Sequence, residues 1–156
     1  MNIFILDKDP EKAAHYHCDK HVVKMCLESV QILSSVWIKN GLPAPYRLTH
    51  ENHPCVVWAG ACRENLHWML IHSHALFHAY MARYSRIHKS FYALIELEKT
   101  GRPNIPSAGG ITPFAQAMPE EYKQEDAVSA YRNYYIKEKA CFAKWEYTVT
   151  PDWWVL

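Results

Sequence analysis

The chain has 156 residues, enough for one domain with its own hydrophobic core, and we expect a single domain over residues 1–156. Hydrophobic residues make up 49% of the chain and charged residues 21%, which excludes an intrinsically disordered protein. The formal net charge is +1, so no protein-wide positive field attracts nucleic acid. Any binding of nucleic acid must therefore depend on a local patch of cations.

The cysteines and the N-terminal residues indicate a compartment. Five cysteines, an odd number, lie mostly on apolar helical rows, which is typical of buried thiols in a reducing environment. The residues after Met1 form only a short apolar run before Asp7, unlike a secretory signal peptide. No stretch approaches the length of a membrane span. We expect a cytoplasmic protein with no membrane partner.

The N-terminal part predicts an extended arm followed by one long helix. Residues 2–6 are apolar and β-prone, and since no partner strand is evident we expect an arm packed on the core. Asp9 followed by Pro10 is a helix start, because the side chain can cap the helix and proline lacks only an N–H that is unused there. No Gly or Pro interrupts the chain from there to Lys39, where a Gly-Leu-Pro sequence follows Asn40 and ends the helix.

This first helix is apolar around more than half of its circumference, at about 100° per residue. One narrow polar stripe remains, whose members are three or four residues apart. A mostly buried helix with one titratable stripe is suited to line a cleft. In the alternative interpretation, Lys24 and Glu28 are an ordinary ion pair on a solvated face and the histidines are incidental. The stripe consists of His17, His21, Lys24, Glu28 and Gln31.

The rest of the chain predicts further helices. A second long helix opens at His53 and runs to about His88, a shorter one covers residues 90–99, and a last one covers residues 125–144. The intervening segment, residues 103–119, is long for a loop of a compact domain, which suggests a function. The predicted fold class is all-α: a helical bundle of two long helices, shorter C-terminal helices, and extended N- and C-terminal arms.

Two polar residues, Asn65 and His72, interrupt the core row of the second long helix. Buried polar groups need partners. We therefore expect one of them to approach His21, Lys24 and Glu28 from the opposite wall of a shared cleft.

The histidines of the first helix also allow a metal interpretation. His17 and His21 have the i,i+4 spacing of helical zinc ligands. However, no glutamate follows His17 directly, and a third ligand would have to come from His53 or His72. Cys18 lies on an apolar row, where a buried thiol is inert as a nucleophile. We predict no metal site and no cofactor, and keep a helical metalloprotein as an alternative.

The last helix places aromatic rings beside cations. Tyr131, Arg132 and Asn133 are consecutive, and with Lys20 and Lys24 they resemble a surface whose rings stack on bases and whose cations hold phosphates. A core helix with tyrosines that simply pack explains the composition equally well.

Three stretches of the chain, in this order and spacing, resemble one known family. The first is Met1-Asn2-x-Phe4, Asp9-Pro10-x-Lys12-x-Ala14 and Lys20-His21-x-x-Lys24-x-x-x-Glu28-x-x-Gln31-Ile32-Leu33; the second is His53-Pro54-x-x-x-Trp58; the third is Met118-Pro119-Glu120-Glu121-Tyr122 ahead of Ser129-x-Tyr131-Arg132-Asn133-x-x-x-Lys137. They resemble the pyrimidine-dimer DNA glycosylase family of the endonuclease V type, and especially its bacterial and phage members. The resemblance implies a single all-α domain that binds and bends duplex DNA, flips a base, and attacks the sugar C1′ with an amine to form an imine before strand cleavage.

Carried over by residue, the resemblance assigns cationic and catalytic roles to the turn of Lys20, His21 and Lys24. It assigns a basic DNA-contacting segment to Arg132 and Asn133. The expected function is a DNA-binding enzyme that cleaves the N-glycosidic bond of a damaged or modified pyrimidine, with abasic-site lyase activity in addition. The alternatives are a non-catalytic DNA- or protein-binding module and the metalloprotein above.

Two positions depart from the family pattern. The family nucleophile is the α-amine of a small second residue after removal of the initiator methionine, whereas Asn2 is bulky enough to disfavour that removal. His21 stands where the family's catalytic glutamate would fall, and the nearest acids are Asp19 and Glu28. The expected catalytic residues are His21, Lys24 and Glu28. The expected DNA- or substrate-binding residues are Asn2, His17, Lys20, His53, Asn65, His72, Tyr131, Arg132 and Asn133.

Overall fold

The computed structural model describes residues 1–155, and within them it forms helices and no strand. This confirms the all-α prediction. None of these helices is both long enough and apolar enough to cross a membrane. The helices are α1 Pro10–Tyr16, α2 Asp19–Lys39, α3 Pro54–Ala59, α4 Arg63–Tyr84, α5 Lys89–Lys99 and α6 Ala127–Lys139, with a short 3-10 turn at Glu120–Tyr122.

The prediction of one long first helix is wrong, because the chain breaks between α1 and α2. The Arg83 guanidinium of α4 donates to the carbonyl oxygens of His15 at 2.9 Å and His17 at 2.8 Å. The amide of Cys18 donates to the Tyr135 hydroxyl of α6 at 3.0 Å. These distant groups replace the partners that a continuous helix would supply, so the break needs neither Gly nor Pro.

A buried ion pair secures the start of α2. Arg83 Nη1 lies 3.1 Å from Asp19 Oδ1 and both side chains are almost fully buried. The other carboxylate oxygen of Asp19 accepts from the amide of Glu146 at 2.6 Å, and the Asp19 amide donates to Lys144 O at 2.9 Å. The C-terminal tail is thereby attached to the first turn of α2.

The second long helix is also divided, into α3 and α4, which corrects its predicted continuity. Asn65 on the first turn of α4 donates to the carbonyl oxygen of Trp58 in α3 at 2.8 Å. The helix α3 ends at Ala59, and the chain turns at Gly60 before α4 begins. The same amide group of Asn65 exchanges hydrogen bonds with Thr112, at 2.7 Å to the hydroxyl and 3.0 Å from the backbone amide. Asn65 therefore anchors the segment 103–119. The helix α4 ends at Tyr84, four residues before the predicted end.

The N-terminal residues form the predicted arm, and residues 3–6 are buried. Phe4 adopts a left-handed conformation with φ +52°, which an L-residue takes only when its surroundings hold it there. Its ring stacks on His21 of α2 with centroids 4.7 Å apart and meets Tyr131 of α6 edge-on at 5.9 Å. The arm is thus packed between the helices that carry the polar stripe and the tyrosines.

Candidate active site

The arm brings the N-terminus of the chain to Glu28, in the middle of α2. The backbone amide of Asn2 donates to Glu28 Oε2 at 3.0 Å, and the α-amino nitrogen of Met1 lies 3.8 Å from the same oxygen. The ammonium of Lys24, one turn earlier on α2, lies 3.5 Å from Glu28 Oε1. One carboxylate therefore faces two amines. We define these three groups, the Met1 α-amine, Lys24 and Glu28, as the amine–carboxylate site.

Burial distinguishes the members of this site. The side chain of Glu28 is only 11% exposed and that of Lys24 is 63% exposed. The Met1 side chain is 5% exposed, so residue 1 has a packed position of its own. A carboxylate in such surroundings needs hydrogen-bond donors or opposite charges nearby, and the Asn2 amide and the two amines supply them.

The arm is fixed on both sides of its buried segment. Arg132 of α6 donates through Nε to Leu6 O at 2.8 Å and through Nη2 to Asp7 Oδ2 at 3.2 Å. The side chain of Asn2 is held by Tyr131 and by the backbone of Ala117. The position of the N-terminus relative to Glu28 is thus determined by α6 and by the segment before it.

His53 lies next to the amine–carboxylate site, at the N-cap of α3. Its Nδ1 accepts from the amide of Cys55 at 3.1 Å. Burial, the N-terminal amine and His50 lower the pKa of His53, while Glu28 and a hydrogen bond with the Met1 backbone oppose that shift. His53 is therefore a neutral imidazole at neutral pH, with its ring beside Met1.

His21 is buried beneath the arm instead of lining an open cleft. It is 5% exposed, stacks on Phe4, and its Nδ1 has no hydrogen-bond partner. Burial lowers the pKa of His21 to about 3, and Lys139, Lys24 and Lys20 add to the effect. The imidazole is consequently neutral under physiological conditions, and three lysines lie close enough to act on it electrostatically.

These lysines form a cationic patch, which we define as Lys20, Lys24 and Lys139. The Lys20 ammonium lies 4.7 Å from the centre of the Phe142 ring, and that of Lys139 lies 4.8 Å from the Tyr134 ring. Since Lys24 belongs to both groups, the patch is continuous with the amine–carboxylate site. Cations set against aromatic faces are the components of a surface that binds phosphates and stacked bases.

The expectation that Asn65 or His72 would face Glu28 is wrong. Asn65 is fully buried and used by Trp58 and Thr112, as described above. His72 stacks on Trp68 at 4.9 Å and its Nδ1 lies 2.9 Å from Pro10 O. Both side chains therefore find their partners within the core and the adjoining loops.

The other residues expected to contact DNA occupy varied positions. His17 is fully buried, with Nδ1 2.7 Å from Ala13 O and its ring 5.6 Å from that of His72. Tyr131 is fully buried, Asn133 is half-buried on α6, and Lys20 is exposed. Of the predicted site residues, the structure therefore places Asn2, His53 and Lys24 near Glu28, with Tyr131 bonded to Asn2. Lys20 belongs to the adjoining cationic patch, next to His21.

The structure does not supply the ligands that the metalloprotein alternative requires within the described residues. Among residues 1–155, no three or more His, Cys, Asp or Glu side chains are arranged to hold a metal ion. His17 closes α1 and His21 belongs to α2, so the helical i,i+4 geometry that suggested zinc ligands is not formed.

Sequence reasoning missed Lys139 and Phe142 as parts of the patch, and did not connect the Met1 amine with Glu28. Lys139 and Phe142 could have been found from the sequence, because aromatic and cationic residues continue to alternate beyond Tyr134. The arm's apolar sequence indicated packing on the core, but nothing in it specified Glu28 as the neighbour.

An all-helical protein with a buried carboxylate, two amines and a cationic patch in one place has the groups that an amine-using nucleic-acid enzyme requires. The chain belongs to the pyrimidine dimer DNA glycosylase family, whose model matches residues 1–92. That span includes the arm and Glu28 and ends within α5. No curated protein and no solved structure matches the chain. Membership in this family supports a DNA glycosylase function in DNA repair, with DNA as the substrate.

Proposed function

We propose that this protein excises a damaged or modified pyrimidine from duplex DNA and cleaves the resulting abasic site, using an amine held at Glu28. The observation that carries the proposal is the placement of a buried carboxylate within 3.8 Å of the N-terminal amine and 3.5 Å of Lys24. Such a carboxylate can stabilise positive charge that develops on a sugar and can accept a proton from an attacking amine.

The proposed reaction begins at the sugar C1′. The neutral amine forms a bond to C1′ as the bond between C1′ and the base breaks; the base leaves with the electron pair and takes up a proton. The amine nitrogen then loses a proton to Glu28; the C1′–O4′ bond breaks, O4′ leaves with the electron pair and takes the proton back from Glu28, and a protonated imine is formed. The imine acidifies C2′, and loss of that proton expels the 3′ phosphate and cleaves the strand.

Of the two amines, we propose the α-amine of Met1 as the nucleophile. An α-amine is in general less basic than a lysine amine. The arm also holds the N-terminus in place, whereas Lys24 is on a largely exposed side chain. Lys24 then serves as the cation that faces Glu28 and the DNA backbone.

DNA is proposed to lie across the cationic patch, with phosphates at Lys20, Lys24 and Lys139. The net charge of the whole chain is only +1, so binding must come from this local concentration of positive charge. The rings of Tyr134 and Phe142 beside the lysines offer stacking surfaces for a base displaced from the duplex, whose unstacking costs a few kcal/mol.

The test is borohydride trapping on duplexes that carry an abasic site, a pyrimidine dimer or a modified pyrimidine. The proposal predicts a covalent adduct. Peptide mapping should locate this adduct on the N-terminal α-amine, and the intact mass of the protein should show which residue carries that amine. An adduct on Lys24 would show that Lys24, and not the α-amine, is the nucleophile of the same reaction. Absence of any adduct and of any cleavage would contradict the enzyme and favour the non-catalytic binding module.

A further inference from the structure

We propose that Asn2 and Tyr131 form a latch that sets the distance between the N-terminal amine and Glu28, and that both are positioning residues for the reaction. This inference rests on the proposed function for its kinetic consequences. Its structural basis is independent of any substrate, because it consists of hydrogen bonds within the chain.

Tyr131 supplies the fixed half of the latch. Its side chain is fully buried on α6, and burial raises its pKa far above the usual value, so the hydroxyl keeps its proton. That proton has two acceptors in reach, Asn2 Oδ1 at 2.8 Å and Ala115 O at 3.1 Å. The hydroxyl oxygen of Tyr131 also accepts a hydrogen bond from the amide of Ala117 at 3.0 Å. The hydroxyl therefore joins the arm to the segment before α6.

Asn2 supplies the half that belongs to the arm. Its Nδ2 donates to Ala117 O at 2.8 Å, while its Oδ1 receives the Tyr131 hydroxyl and the amide of Ile3, the latter at 2.8 Å. Its backbone amide is then directed at Glu28 Oε2. This pattern needs both a carboxamide donor and a carboxamide acceptor, so neither a carboxylate nor a small side chain can reproduce it.

The latch limits how the N-terminus can move. Phe4, two residues after Asn2, is in a left-handed conformation that packing must maintain, and its ring contacts that of Tyr131. If the Tyr131 hydroxyl is removed, Asn2 loses a buried partner and the arm can relax away from Glu28. A displacement of about 1 Å between reacting groups can reduce a rate by about 100-fold.

The chain contains a matched control in Tyr135, one turn further along α6. Tyr135 is equally buried, and its hydroxyl accepts from the amide of Cys18 at 3.0 Å. Replacing either tyrosine with phenylalanine keeps the ring and removes one buried hydroxyl. Tyr131→Phe should cost more stability, because its hydroxyl has three partners and that of Tyr135 has one, and only Tyr131→Phe should disturb the amine–carboxylate site.

The experiment compares wild type, Tyr131→Phe and Tyr135→Phe in single-turnover trapping on abasic duplex at saturating protein, over a range of pH. Tyr131→Phe should slow adduct formation by about tenfold or more and shift its pH profile, with little change in the dissociation constant for DNA. Tyr135→Phe should keep the wild-type rate and profile. Equal rates in the two variants would overturn the latch.

A second measurement needs no DNA and separates this inference from the proposed function. Acylation of the α-amine, followed by peptide mapping, reports how the N-terminus is held. Tyr131→Phe, or Asn2→Asp if the first variant does not fold, should change the acylation rate at the N-terminus while Tyr135→Phe should not. If the wild type forms no adduct, the proposed function fails, while acylation still tests the latch. Unchanged acylation in the Tyr131 and Asn2 variants would overturn the latch.

Discussion

The amide of Asn2 donates a 3.0 Å hydrogen bond to Glu28 Oε2 across 26 residues of sequence. This single contact brings the N-terminal amine to a carboxylate that is almost fully buried. The role proposed for the Met1 α-amine depends on this contact, since α2 by itself offers Glu28 only the largely exposed amine of Lys24.

The first prediction concerns Arg132, which the sequence suggested as a phosphate contact. In the structure this side chain holds Leu6 O and Asp7, so Arg132→Ala should destabilise the protein by about 1–3 kcal/mol and slow the reaction. The dependence of DNA binding on salt should not change. Arg132→Lys keeps the charge but cannot reproduce the two bonds, and it should also be destabilised. Urea unfolding and binding at two salt concentrations test both variants; a reduced salt dependence with normal stability would restore the phosphate role.

The second prediction concerns the cationic patch. Lys139→Ala and Lys20→Ala should each weaken DNA binding and reduce the slope of log affinity against log salt by about 0.9, the value for one lost phosphate contact. Lys99→Ala is the control, because this exposed lysine ends α5 near Trp37, at the opposite end of α2 from Lys20. Equal slopes for all three variants would show that DNA does not lie on the patch.

The third prediction concerns the ion pair between Asp19 and Arg83. Removing one partner leaves the other charge buried, so Asp19→Asn should cost about 3–5 kcal/mol of unfolding free energy. The variant also weakens the bond to the Glu146 amide, so the C-terminal tail should become sensitive to proteolysis before the rest of the chain. A loss of less than about 1 kcal/mol in urea unfolding would contradict this role.

The fourth prediction concerns pH and the buried pair His17 and His72. Burial lowers the pKa of His72 to about 4 and that of His17 well below its usual value. The folded state thus holds both rings neutral, and below about pH 6.5 the unfolded chain binds the protons more readily. Stability should be independent of these groups above pH 6.5 and fall by up to about 1.4 kcal/mol per pH unit for each histidine below it.

Urea unfolding of wild type and His72→Gln between pH 7 and pH 4.5 tests this sign. The variant should lose less stability than wild type on acidification, by about one histidine's contribution. If wild-type stability were constant through this range, or rose as the pH fell, the burial of neutral histidines would not control acid unfolding.

The sequence was sufficient to predict most of the local structure. The N-cap at Asp9 and Pro10, the apolar arm and the part of the polar stripe that lies on α2 all follow from local rules, and the structure has them. The break at His17 could not be predicted, because the hydrogen-bond partners that cause it, Arg83 and Tyr135, are distant in sequence.

The site was predictable only in part, for the same reason. Lys24 and Glu28 are one turn apart, and their pairing is a property of any helix. The arm over the stripe is a tertiary arrangement that buries His21 and replaces the expected open cleft. Asn65 and His72 were correctly placed in the core, but the residues they bond, Thr112 and Pro10, depend on how loops and helices meet.

The central claim is that Glu28 serves the amine chemistry, and the most direct measurement is single-turnover adduct formation by Glu28→Gln on abasic duplex DNA under borohydride. Glutamine keeps the shape and can still accept from the Asn2 amide, but it carries no charge and cannot take a proton from the amine. Glu125→Gln, an exposed position, is the control. The account predicts that Glu28→Gln binds DNA and folds like wild type while its adduct rate falls by about 100-fold or more. An adduct rate equal to that of Glu125→Gln would contradict the claim.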